Sequence, residues 1–176
     1  MRIELLFALS GLLVAPVWLL MIGLPGLALT RAVLGSPWVL LPLPLLYTVL
    51  LIANWPLWIY LIENPTLTGL AVVLGSPMGA LIAWVHLLAL DLFVGRWIYL
   101  DSQDRGMASL AVVPVLWLTL LAGPIGLMLY LVVRPLAGPT EPAAEREQPG
   151  PSMAPPPGSP TGVRKPTPGG GGAKPL

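Results

Sequence analysis

One apolar stretch of this chain carries an imidazole, a carboxylate and a guanidinium at regular spacing: His86, Asp91 and Arg96, all within residues 84–101. Imidazoles and carboxylates are the commonest general acids and bases. An Asp or Arg at the centre of a membrane helix costs roughly 2.5–3.5 kcal/mol to insert, so such groups are functional candidates by default. Asp91 suits a general acid or base, or an interhelical hydrogen bond. His86 suits a proton shuttle, or a bond to a neighbouring carbonyl. Arg96, near the end of the stretch, reads first as an anchor that snorkels to the headgroups. At about 100° per residue, Asp91 lies about 140° around a helix from His86, and Arg96 about 140° further. The three cannot form a triad on one face, so partners from other helices are required. Tyr47, Asn54, Trp55, Thr119 and Tyr130 are available.

Other chemistry is narrowed by composition. The chain has no cysteine and one histidine, which removes disulfides, thiolate metal sites, thiol catalysis and any site needing two imidazoles. Asp101 and Asp104 could together hold a divalent cation. With Arg105 beside them to pair the carboxylates, a solvated loop is the preferred reading and no metal site is expected. The net charge of +1 and scattered Lys and Arg give no basic groove for nucleic acid.

The elements that position these residues follow from hydropathy. Of 176 residues, 56% are hydrophobic and 10% charged, against about 25% charged in a soluble domain. Lipid is therefore the expected solvent. A span needs about 20 apolar residues, and four windows qualify: 5–29, 38–62, 78–100 and 109–133. The first exceeds a signal-peptide core and lacks a clear cleavage site, so a retained helix is expected. Prolines at 16, 25, 42, 44, 56, 114 and 124 predict kinks in the first, second and fourth windows, tolerated because neighbours re-satisfy the freed carbonyls. The third, with Pro77 at its start, should be the straightest. Polar on several sides, it should also run centrally. Apolar residues 69–74, between the second and third windows, are expected at the interface. Most of the seven tryptophans read as an interfacial belt, except the deeper Trp84.

The expected fold class is all-α: a polytopic four-transmembrane-helix bundle over residues 1–137, then a disordered Pro/Gly-rich tail over 138–176. Within the tail, 151–157 could meet a proline-recognising domain, although an unstructured tail is the preferred reading. The Gly-Ser-Pro triplet at 35–37 recurs at 75–77, which a shared way of starting a helix explains. Four spans would put both ends of the bundle on one side, and arginines then divide evenly between the faces, so the positive-inside rule gives no orientation.

The third window also carries a family resemblance. The run Trp84-x-His86-Leu87-Leu88-x-x-Asp91-Leu92-Phe93-x-Gly95-Arg96-x-x-Tyr99-x-Asp101 resembles the signature of the abscisic-acid-deficient-four-like membrane proteins. Pro16-x-Trp18-x-Leu20-Met21, Pro25, Tyr47 and Gly123-Pro124-Ile125-Gly126 fit it too, so the likeness covers about residues 5–136. Plant members are implicated in forming neoxanthin from violaxanthin in plastids. The resemblance implies carotenoid (xanthophyll epoxide) isomerisation or a related isoprenoid modification. No plastid transit peptide precedes the first window, which suggests a bacterial homologue in the inner membrane. Under this reading Asp91 and His86 are the catalytic candidates. Trp84, Phe93, Arg96, Trp97 and Tyr99 are the substrate-binding candidates, and no cofactor is needed. Expected partners are membrane lipids, a carotenoid or isoprenoid ligand, and a second copy or another protein. The competing reading is a non-enzymatic scaffold or pigment-binding assembly factor. A transporter fits less well, since four short helices leave little room for alternating access.

Overall fold

The computed structural model describes residues 2–137. The expected tail, with its 151–157 stretch, lies outside the described residues. Every element among them is helical. In order these are α1 (Arg2–Gly23), α2 (Ala28–Gly35), a 3-10 turn (Pro37–Leu40), α3 (Pro42–Ala53), α4 (Trp55–Glu63), α5 (Leu67–Gly75), α6 (Pro77–Asp104), α7 (Ser109–Leu121) and α8 (Gly123–Val133), followed by a 3-10 turn (Arg134–Ala137). Two helices, α1 and α6, are each long and apolar enough to cross a membrane, and a bent pair formed by α2 and residues 37–53, at 76°, can supply a third crossing.

Four unbroken spans are therefore not what forms, and proline is the main reason. The first window stops at Gly23 because Pro25 lacks an amide proton and disfavours helix in the residue before it; Pro16 stays inside α1. The 38–62 window breaks at Asn54, with Pro56 in the first turn of α4. The 109–133 window breaks at Ala122, with Pro124 in the first turn of α8. A first-turn proline wastes no bond, because that amide has no intrahelical partner. The third window forms the continuous 28-residue α6. Ser76 caps its start by accepting from the Gly79 amide at 3.0 Å. Gly106, at φ 66°, closes its end by letting the Met107 amide turn back to the Ser102 carbonyl at 2.9 Å.

As its polar circumference requires, α6 lies centrally, packing against α1, α3, α5, α7 and α8. Contacts give the directions. The α1 helix runs alongside α6 in the same sense: Phe7 meets Trp84 at 5.2 Å, and Trp18 lies where a Cβ on Gly95 would come within 2.6 Å of its ring. The α3 helix runs the opposite way, since Arg96 bonds the Leu34 carbonyl while Tyr47 meets His86. The α7 helix leaves from the C-terminal end of α6, where Gln103 Nε2 donates to Ser109 Oγ at 3.1 Å. The α8 helix returns to that end, where Arg134 reaches Asp101. Thus α7 and α8 fold back on each other, with Gly126 set so tightly on Thr119 that a Cβ there would overlap the threonine hydroxyl. The shared core includes Met21, Val85, Ile98, Leu116 and Tyr130, each fully buried.

Candidate functional site

The N-terminal half of α6 forms one wall of an apolar pocket of about 430 Å³, closed by α3, α4 and α5. Leu57, Trp58 and Leu61 come from α4, Leu70, Val73 and Leu74 from α5, and Tyr47 from α3. His86 and Tyr47 bring the two titratable side chains into this lining. Their rings lie 5.2 Å apart and tilted by 48°. The volume falls in the usual range for small-molecule pockets, which are mostly apolar with a few convergent polar groups. The local order behind it is simple. The Thr66 hydroxyl accepts from the Gly69 amide at 3.0 Å and starts α5, while Asn54 and Pro56 turn the chain from α3 into α4. The pocket wall therefore depends on breaks in the second window.

Asp91 lies on another side of α6. Its carboxylate rests against Gly123, so closely that a Cβ there would strike Asp91 Oδ1. The residue preceding α8 is Ala122, which offers no capping side chain. The Asp91 carboxylate thus sits at a helix start, where amide dipoles favour an anion. Among the described residues, no hydrogen bond or ion pair engages this carboxylate or the His86 imidazole.

The C-terminal end of α6 is occupied by structural ties. Arg96 donates from Nε to the Leu34 carbonyl at 2.7 Å and from Nη2 to the Gly35 carbonyl at 3.2 Å, satisfying carbonyls left open at the end of α2. The buried Tyr99 hydroxyl donates to the Pro25 carbonyl at 2.8 Å. Asp101 accepts from Arg105 at 2.9 Å, from Arg134 at 2.8 and 2.9 Å, and from the Tyr130 hydroxyl at 2.6 Å. That bond to Asp101 pushes the Arg134 guanidinium pKa further up, so the pair stays ionised. Trp97 packs edge-on against Tyr130 at 5.4 Å, with Arg134 above its ring. Asp104 pairs with Arg31 at 3.1 Å. No cluster of three metal-ligating side chains occurs among the described residues.

The structure thus separates the residues singled out by sequence. His86 lines the pocket; Asp91 faces the α7–α8 junction. Of the substrate-binding candidates, Trp84 lies beside Phe7, Phe93 is 54% exposed, and Arg96, Trp97 and Tyr99 hold the far end of α6 together. None of these five lines the His86 pocket. Tyr47, one of the available partners, does reach His86. The α4 and α5 wall was missed: residues 69–74 read as an interfacial connection, and Trp58 as part of the belt. Thr66 three residues before Gly69 was the capping signal for α5. Trp18, also read as belt, is buried, and its indole N–H has no partner among the described residues.

A family model described as ABA DEFICIENT 4-like matches residues 5–130. No curated protein and no solved structure matches the chain.

Proposed function

Because the chain belongs to the ABA DEFICIENT 4-like family, we propose that this membrane protein takes a carotenoid or similar isoprenoid into the apolar pocket and isomerises it at His86. The supporting observation is the imidazole and phenol side by side in an otherwise apolar lining. Opening a xanthophyll epoxide to an allenic alcohol removes a proton from carbon, breaks a carbon–oxygen bond and protonates the oxygen. Atoms and electrons balance without an oxidant or reductant. His86 takes the carbon-bound proton, the Tyr47 hydroxyl supplies the oxygen's proton, and transfer from imidazolium to phenolate restores both groups. Asp91, turned toward α8, lies outside this exchange. A bacterial inner membrane is the proposed setting, with lipid around the apolar helices.

The test is pigment profiling of a deletion strain complemented with the parent, His86→Gln, Tyr47→Phe or Asp91→Asn, with protein levels measured in parallel. Loss of conversion for His86→Gln at normal protein level supports the reading. Full conversion by that variant refutes it. A second reading, a pigment- or protein-binding assembly factor, draws on the ties made by Arg96, Tyr99 and Asp101, which spend much of α6's polar chemistry on holding the chain together. It expects variants to lower complex formation while leaving the carotenoid chemistry unchanged.

A further inference from the structure

We infer that residues 109–133 form a re-entrant hairpin rather than a span, so that the chain crosses the membrane three times and residues 2 and 137 lie on opposite faces. Both ends of the hairpin are fixed to the same end of α6. Ser109 Oγ accepts from Gln103 at 3.1 Å, and Arg134 grips Asp101 at 2.8 and 2.9 Å. The turn lies against Asp91, roughly 15 Å back along α6 from Asp101 at 1.5 Å per residue. The 13 residues of α7 and 11 of α8 extend only about 20 and 16 Å, short of the roughly 30 Å hydrocarbon layer. Each arm therefore reaches about halfway and returns. At the turn Gly123 is buried against Asp91 of α6, the protein cover that a break in a helix needs at that depth.

The remaining crossings are α1, the bent segment of α2 and residues 37–53, and α6. That bent segment starts from the Arg96 end of α6, where Leu34 is bound, and α4 after it lies beside Gly79 and Ile82. Three crossings change the arginine count. Arg31, Arg96, Arg105 and Arg134 gather on the face at the C-terminal end of α6, tied there to Asp104, the α2 carbonyls and Asp101. Arg2 lies at the opposite end. The positive-inside rule, indifferent for four spans, now makes the four-arginine face cytoplasmic. Residue 2 faces away from the cytoplasm, and residue 137 faces it.

The chain has no cysteine, so single-cysteine variants of the full chain report directly. Glu63→Cys, Ala108→Cys and Leu136→Cys, all at exposed positions, are treated with a membrane-impermeant maleimide on intact spheroplasts and again after lysis. The expected result is labelling of Glu63→Cys in intact spheroplasts, with Ala108→Cys and Leu136→Cys labelled only after lysis. Labelling of Leu136→Cys together with Glu63→Cys means a full fourth span and overturns the hairpin. Labelling of Ala108→Cys and Leu136→Cys from outside, with Glu63→Cys protected, overturns the orientation. Unsubstituted full-length fusions bypass any folding defect: a C-terminal green fluorescent protein should fluoresce and a C-terminal alkaline phosphatase should be inactive. The reverse pattern overturns the assignment.

Discussion

Replacing Gly126 by Ala tests the hairpin's packing directly. A Cβ at position 126 would sit 2.5 Å from Thr119 Cα and also strike the Thr119 amide and hydroxyl. Carbon atoms prefer about 3.5–4.0 Å, so α7 and α8 must part by about 1 Å. A gap of that size forfeits a quarter to a half of each contact across the seam, and overpacking of this kind costs about 1–3 kcal/mol. Trimming Thr119 does not relieve it, because backbone atoms are among those struck. Removing glycine from a helix returns about 0.5–1 kcal/mol, leaving a net loss of about 1 kcal/mol, or about fivefold in the folded population. Gly123→Ala is the matched control. Its obstacle is the end of the Asp91 side chain, which can rotate aside, so its cost should stay below about 0.5 kcal/mol. The assay is reversible denaturation of the purified full chain in mixed micelles, followed by tryptophan fluorescence. A Gly126→Ala variant as stable as the parent, or a Gly123→Ala variant that is the worse of the two, refutes the reasoning.

Two further outcomes follow from the ties on α6. Asp101→Asn should destabilise the same preparation by about 2–4 kcal/mol, because four charge-assisted or phenolic bonds lose their acceptor charge, whereas Asp104→Asn, at an exposed pair, should cost less than about 1 kcal/mol; equal effects would contradict the buried-network account. Arg96→Gln should raise amide hydrogen exchange within residues 28–41, since the α2 carbonyls lose both donors, and unchanged exchange there would show that Arg96 is an interfacial anchor alone.

The α6 helix was legible in the sequence apart from its last turn: the apolar window ended at residue 100 and 101–104 read as loop, whereas the helix runs to Asp104. Its apolar length, the Ser76-Pro77 start and its charged residues on several sides gave its start and its central position. The hairpin was not, because hydropathy counts apolar residues without recording the direction of the chain. Residues 109–133 contain no charge, so they score as a span whether they cross or return. The signs of a reversal were Pro124 in a Gly-Pro step and Gly126, a small residue where two backbones touch. They read as a kink, since a proline alone does not distinguish bending from folding back. The site was half legible for a similar reason. Helical angles correctly put His86 and Asp91 on different faces, and Tyr47 was among the available partners. Which helix each would face depended on where the other windows broke.

The charge on α6 and the break between α7 and α8 explain each other. A carboxylate at half depth needs compensation, and Asp91 has no cationic partner among the described residues. A helix beginning at half depth needs a capping acceptor, and Ala122 has none to give. Bringing the Asp91 carboxylate to the start of α8 offsets part of the first cost, because amide dipoles there stabilise an anion, while the start of α8 stays without a side-chain cap. An unbroken span over residues 109–133 would carry its dipole ends to the membrane surfaces and leave Asp91 facing only side chains. The position of Asp91 therefore favours a hairpin over a span independently of the ties at Asp101. The two groups first marked out for acid–base work thus meet different surroundings: the Asp91 carboxylate lies at the start of α8 and the His86 imidazole lines the apolar pocket.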